Sequence, residues 1–254
     1  MKALDLYKKL PKTNCGRCSL KACMPFAISV IKGDTDISEC PLLSPEEIDI
    51  IKPSLVQGDW REELILKLGE EIKTLDIKDI APGIGADMLG DEMKLRCFGR
   101  EFFISPDGSI RTGGRTTPWI KILILHYIRT GGRSKLTGKW VSYAELKAGM
   151  IKASSFLREC ETPLLELFSR DEAKAVSVLT RIGAVRAEGF PTRAAWVIYL
   201  LPKVPVAILY WPEDEEFPSR IRVLFDSTVD HYLDVESIMF LVEGLVKNME
   251  MQIT

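Results

Sequence analysis

Asn14-Cys15-Gly16-Arg17-Cys18-Ser19-Leu20-Lys21-Ala22-Cys23, closed much later by Cys40-Pro41, decides how the N-terminal end of the chain is read. Four cysteines fall within the 26 residues from Cys15 to Cys40, in the order Cys-x2-Cys-x4-Cys-x16-Cys. The remaining two, Cys97 and Cys160, stand alone and are expected to be small core residues. Core-filling cysteines are scattered, so the cluster asks for a chemical cause. Three thiols in one tight loop and a fourth beyond a helix suit an iron–sulfur centre, where soft thiolates converge on one inorganic core. Gly16 lets the loop backbone come close to such a core. Met24-Pro25-Phe26 and Leu42-Leu43 offer apolar cover, and proline after the last ligand matches the Cys-Pro ending of bacterial ferredoxin runs. Structural zinc also takes four cysteines, but usually as two close pairs, whereas here Cys40 is alone. Disulfides fit a reducing compartment poorly. The spacing favours iron–sulfur over zinc and leaves the number of irons open.

Around this loop the pattern is helical. Leu4, Leu6, Tyr7 and Leu10 predict a short helix stopped by Pro11, and Met24 to Lys32 a second one stopped by Gly33. Residues 1–43 thus form a cluster-binding module. Ser44-Pro45-Glu46-Glu47 is a capping box with proline at the first helical position, and Pro53 is expected to end the brief helix it opens. Residues 44–59 are read as a linker helix.

Residues 60–254 make up the larger part. Glu63 to Leu68 predicts a strand, and Gly83, Gly85 and Gly90 mark turns. Lys94 to Phe98 and Glu101 to Ser105 predict a hairpin around Gly99-Arg100, with a turn at Ser105-Pro106-Asp107-Gly108. Thr117-Pro118 opens a helix to about Arg129 that is apolar nearly all round and should be buried. Residues 153–185 read as helices. Val197 to Leu201, Pro205 to Trp211 and Arg220 to Asp226 read as strands, and Asp234 caps a last helix to about Lys247. Mixed runs without regular βαβ alternation give an α+β fold, a small iron–sulfur module followed by a larger α+β domain.

The chain has 254 residues, 46% apolar and 28% charged, with net charge −2 and mean hydropathy near zero. This excludes collagen, wholesale disorder and a small disulfide scaffold, and argues against a general nucleic-acid binder. The average hides an asymmetry, +6 over residues 1–32 and −7 over residues 212–254. Neither a signal peptide nor an apolar run long enough for a membrane span is visible, so a cytoplasmic protein is expected.

The stretch from Tyr7 to Ala27, including Pro11-Lys12-Thr13-Asn14-Cys15-Gly16-Arg17-Cys18, with Gly33 and Cys40-Pro41, resembles the four-iron module of the corrinoid iron–sulfur protein large subunit. That subunit belongs to the carbon monoxide dehydrogenase/acetyl-CoA synthase system, and the Rnf complex B subunit has the same module type. Ser19 departs from the glycine common there, at a position that is no ligand. The resemblance covers residues 4–43 and implies a [4Fe–4S] cluster on Cys15, Cys18, Cys23 and Cys40. It also implies anaerobic one-carbon metabolism, with a protein redox partner such as a corrinoid protein or methyltransferase and a corrinoid carried by that partner. Residues 60–254 resemble an uncharacterised domain family often fused to this module, through Leu125-His126-Tyr127, Gly138-Lys139-Trp140-Val141-Ser142-Tyr143, Leu201 to Val206, Phe217-Pro218 and Leu224-Phe225-Asp226. That second resemblance implies no activity.

Four thiolates leave no open position at iron, so single-electron transfer is the natural task. Lys8, Lys9, Lys12, Arg17 and Lys21 would raise the potential and steer an acidic partner, or form only a solvated positive face. Two other functions stay open: an enzyme or cofactor-binding protein with a pocket in residues 60–254 fed by the cluster, and an interaction module whose cluster is purely structural. Elsewhere, His126 is expected to be a satisfied core residue. Asp226, Asp230, His231 and Asp234 resemble a metal or acid–base cluster, although Asp234 is explained as a helix cap and Asp226 as a strand-end turn residue. Glu213-Asp214-Glu215-Glu216 reads as an exposed turn or a docking surface. Gly113-Gly114 and Gly131-Gly132-Arg133 fit no nucleotide-binding fingerprint.

Overall fold

The computed structural model describes residues 3–18, 20–55, 60–114 and 116–253. Lys2, Ser19 and residues 56–59 of the expected linker lie outside the described residues. Contacts divide the chain into two units, Met1–Glu63 and Leu64–Thr254.

The first unit is helical. Helices α1 (Ala3–Lys9) and α2 (Cys23–Lys32) flank the cysteine loop, and α3 (Pro45–Leu55) follows Cys40. The capping box forms as expected: Ser44 N–H donates to Glu47 Oε2 at 2.8 Å and Glu47 N–H to Ser44 Oγ at 3.2 Å. Pro53 does not end α3, which runs on to Leu55. The ring forfeits one hydrogen bond near the end, where few remain, and Ser54 Oγ donates to the Ile51 carbonyl at 2.7 Å instead. Helix α4 (Trp60–Lys73) replaces the strand expected over Glu63 to Leu68. Leu68 and Ile72, four apart, are buried in it, so the helical period governs.

The second unit is α+β. Helix α5 (Ile77–Ile84) includes Gly83, expected as a turn, and closes on left-handed Gly85. Strands β1 (Asp87–Leu89), β2 (Glu92–Cys97), β3 (Arg100–Ile104) and β4 (Ile110–Thr112) form an antiparallel meander. Cys97 pairs with Arg100, so the hairpin turn is Phe98-Gly99 rather than Gly99-Arg100. Both turn residues take positive φ, 49° and 73°. Phe98 tolerates this because its N–H is held by the Leu200 carbonyl and its ring lies 3.2 Å from where a Cβ on Gly244 would stand.

A second sheet has the order β5 (Trp140–Ser142), β9 (Arg220–Asp226), β8 (Val204–Trp211), β7 (Ala194–Leu201), β6 (Val185–Arg186), antiparallel throughout. One face packs on the main core, which includes six buried residues of α6 (Pro118–Thr130) and much of α10 (Val235–Ile253). On the other face Ala195, Ala207 and Leu209 are buried beneath Trp140, Phe190 and Trp211. Strand β8 is therefore buried on both faces and reads as a continuous apolar run. Between α7 (Gly149–Phe156) and α8 (Thr162–Arg170) the chain makes a π-helical turn, Leu157–Glu161. This turn aims Glu161 at β9 beyond the end of β5, where its carboxylate accepts from Val223 N–H at 2.9 Å and from Arg222 at 3.1 Å. Helix α9 (Glu172–Arg181) follows. Asp234 caps α10 through Ser237 N–H at 2.8 Å, and α10 reaches Ile253 rather than Lys247.

Candidate metal centre

Pro11 to Arg17 form an exposed loop without regular structure. Lys12, Asn14 and Gly16 alternate along it at positive φ, 58°, 48° and 66°. Asparagine is among the few side chains that accept this conformation. The Asn14 side chain then reaches the helix that follows: its Oδ1 accepts from Cys23 N–H at 2.9 Å. Helix α2 needs this, because its N-cap is Ala22, which offers no side-chain acceptor. Sequence reasoning took Asn14 only as part of a motif. The signal was an uncapped helix start nine residues after a lone asparagine.

All six cysteines are unpaired thiols. Cys23 (9% exposed) and Cys40 (7%) are buried with Leu6, Leu10, Phe26, Ala27, Ile37 and Leu43, and half-buried Cys18 packs on the same cluster. Cys18 Sγ donates to the Leu20 carbonyl at 3.1 Å. Cys15 is exposed. Its thiol titrates below the ordinary range because Arg17 N–H, and next the Thr13 hydroxyl, hydrogen-bond the sulfur. Three of the clustered thiols thus share one small apolar core, and the fourth sits between left-handed Asn14 and Gly16 on an exposed loop. This donor set fits an iron–sulfur centre chemically. Among the described residues, no three His, Cys, Asp or Glu stand together as ligands of a single ion. Lys8, Lys9, Lys12, Arg17 and Lys21 are all exposed. Lys8 lies 4.0 Å from Asp5, and Lys12 Nζ rests 5.9 Å from the centre of the Tyr7 ring.

The candidates of the second unit stay apart. Asp226 accepts from the backbone N–H groups of Thr137, Gly138 and Thr228 and from two threonine hydroxyls. Burial pushes its pKa up, but the bonds from Thr228, Gly138 and Thr137 together outweigh it and hold the carboxyl below its usual value. Asp230 accepts from Lys147 N–H at 2.9 Å, His231 Nδ1 meets Ser134 Oγ at 2.5 Å, and Asp234 is the cap of α10. The four residues that look like one site in sequence serve separate structural tasks. Asp226 is a buried anchor tying residues 137–138 to β9, more than a turn residue. His126 is half-buried beside Arg129, Nδ1 to guanidinium 3.0 Å, and burial lowers its pKa. Cys97 and Cys160 are fully buried, and burial pushes the Cys97 thiol up to about 12. Residues 213–216 form an exposed turn in which Asp214 accepts from the N–H groups of Glu216 and Phe217. A hollow of about 370 Å³ is lined by Gly85, Asp87, Lys94, Arg96, Glu101, Tyr199 and Pro202, with Lys94 3.3 Å from Glu101. No helix of the described residues is long and apolar enough to cross a membrane.

Comparison with known proteins finds one family model within each unit. A family model described as "Putative Fe-S cluster" matches residues 10–42. The acetyl-CoA decarbonylase/synthase complex subunit gamma of Methanothermobacter thermautotrophicus is 47% identical over 45 residues, 18% of this chain and 10% of that one. The corrinoid/iron-sulfur protein large subunit of Moorella thermoacetica is 42% identical over 41 residues, 16% and 9% of the two chains. Subunit gamma 1 of the same complex from Methanosarcina thermophila is 34% identical over 99 residues, 38% and 19%. The matched stretches thus span a fifth or less of these relatives' length. No solved structure matches. The model of the "Domain of unknown function (DUF3786)" matches residues 76–248, well over half of the chain, and the protein belongs to the DUF3786 family, with an iron–sulfur module at its N-terminal end.

Proposed function

We propose that the first unit holds one [4Fe–4S] cluster on Cys15, Cys18, Cys23 and Cys40 and exchanges single electrons with a protein partner. The observation that carries this reading is the gathering of Cys18, Cys23 and Cys40 on one apolar core beside the Asn14-clamped loop of Cys15. A [4Fe–4S] cluster, when bound, supplies reversible one-electron chemistry. The chain's own residues exclude water with Leu10, Phe26 and Leu43, hold the loop with Asn14, and offer cations from Lys8, Lys9, Lys12, Arg17 and Lys21. The names of these relatives, a subunit of an acetyl-CoA decarbonylase/synthase complex and a corrinoid/iron-sulfur protein, support a corrinoid-linked one-carbon setting, and within it we place anaerobic metabolism, a corrinoid protein or methyltransferase as partner, the corrinoid carried by that partner, and a cytoplasmic location. Residues 1–43 would then be the electron-carrying module, 44–59 the linker and 60–254 the part that docks the partner or holds its cofactor.

Anaerobic purification with iron and sulfide analysis tests this. About four of each per chain are expected for a [4Fe–4S] cluster. Zinc without sulfide would overturn it. Reversible reduction followed by EPR supports electron transfer, and a cluster reducible only with loss of the fold would assign it a purely structural role.

A further inference from the structure

We infer that electrons pass through the Cys15 edge of the module, and that this edge fits the acidic face of a small redox protein. The inference rests on the cluster reading above and adds which edge is used and which partner chemistry it selects.

Two observations carry it. The first is a gradient of burial. Cys23 and Cys40 lie behind Leu10, Phe26, Ile37 and Leu43, Cys18 is half-buried, and Cys15 is exposed. Electron transfer weakens steeply with distance, so a partner gains most by approaching where the protein cover is thinnest. The second is a separation of charge. From Leu6 to Gly33 the chain carries Lys8, Lys9, Lys12, Arg17, Lys21 and Lys32 and no acid. From Asp34 to Asp49 it carries Asp34, Asp36, Glu39, Glu46, Glu47 and Asp49 and no cation. Helix α2 holds part of this charge apart. Cys23 is its first residue, and past its C-cap Gly33, about 15 Å along the axis, Asp34, Asp36 and Glu39 line a shallow groove of about 580 Å³ together with Lys52, which stands 3.7 Å from Asp36, while Lys32 ends the helix there. At the cysteine end, a Cβ on Gly16 would stand 3.9 Å from the Lys21 backbone, so Lys21 and Arg17 flank the turn that carries Cys15. The cysteine end, with Arg17 and Lys21 and no acid from Leu6 to Gly33, attracts an acidic surface, whereas the groove carries charges of both signs.

The exchange is one electron leaving the reduced module and arriving on the oxidised partner, with no bond made or broken. The full chain, loaded and reduced anaerobically, is mixed with an oxidised acidic ferredoxin and, separately, with a small uncharged quinone. The potential of every variant is measured in parallel. Arg17→Glu/Lys21→Glu should slow the ferredoxin reaction at least ~10-fold at low salt and change the quinone reaction only as far as the measured change in potential accounts for. The wild-type ferredoxin rate should fall with added salt, and the variant's should not. Asp34→Lys/Asp49→Lys should leave the ferredoxin rate within about twofold. Where the reversal blocks loading, Arg17→Gln/Lys21→Gln is used and should slow the ferredoxin reaction less. Equal slowing by both pairs, a salt-independent wild-type rate, or equal slowing with the quinone overturns the inference while leaving the cluster in place. A wild-type chain with no reducible cluster overturns the cluster reading itself.

Discussion

The side-chain oxygen of Asn14 accepts the backbone N–H of Cys23 at 2.9 Å, joining the loop of the first two clustered cysteines to the helix that begins with the third. One residue meets two needs, a left-handed backbone at φ 48° and a cap for a helix whose own N-cap is alanine. Asn14→Ala should therefore cost the unloaded first unit about 1 kcal/mol, the usual value of a lost cap, and lower the iron bound per chain. Asn14→Asp keeps the acceptor and should restore loading. Asn14→Gly keeps the backbone without the acceptor and should not. Thermal melts and iron analysis of the three variants check this, and unchanged loading in Asn14→Ala would refute it.

The six thiols should divide sharply under substitution. Alanine at Cys15, Cys18, Cys23 or Cys40 should abolish stable iron binding. Alanine at Cys97 or Cys160 should leave iron per chain unchanged, with the vacated volume costing about 1–2 kcal/mol in urea unfolding. Iron chelation should likewise destabilise the first unit and leave the melting of the second unmoved.

Tyr127 is wholly buried, and its hydroxyl donates to the Ile84 carbonyl at 2.7 Å while accepting Lys203 N–H at 3.0 Å. It joins the end of α5 to the β7–β8 turn. Tyr127→Phe leaves one buried donor and one buried acceptor unpaired, and should cost about 1–3 kcal/mol in urea unfolding.

Glycine at 149 is set by geometry, since a Cβ there would stand 1.9 Å from the Tyr143 carbonyl oxygen. Gly149→Ala should cost about 3 kcal/mol or more. Gly90→Ala, with nothing within 4 Å of its Cβ but φ at 64°, should cost only the backbone strain, about 1 kcal/mol. Denaturation midpoints of the pair separate the two effects.

Asp226 gives the second unit a pH dependence. Its folded pKa is held below the unfolded value near 3.8, so its contribution is present above that value and is lost as pH falls through the depressed folded one. Asp226→Asn should flatten this acid limb and lower stability at pH 7, because the amide nitrogen then faces backbone donors. Acid titrations of both proteins, followed by circular dichroism, measure the difference.

Much of the fold was legible because its signals are local. Ser44 with Glu47, Thr117 before Pro118, Asp234 and the paired runs about Phe98-Gly99 each specify a cap or turn within a few residues. The misread elements are those where two local rules compete. Glu63 to Leu68 is too short to separate strand from helix without Ile72, and Pro53 reads as a stop although it comes near the end of α3. The cysteines were conspicuous by spacing. The Asn14 clamp and the reach of Asp226 to residues 137–138 were not, because those partners lie nine and almost ninety residues away.

The carboxylate of Glu161 has a consequence for the protein in a crowded cell. Strand β5 spans only three residues, and just beyond it Glu161 occupies Val223 N–H with a side chain in place of another strand. An open strand margin is a template on which a foreign chain can add itself and start a fibril. Here the inviting donor is already taken by a group that cannot propagate a ladder. The π-helical turn thus leaves Val223 N–H, at a buried point of β9, with no free bond to offer an added strand.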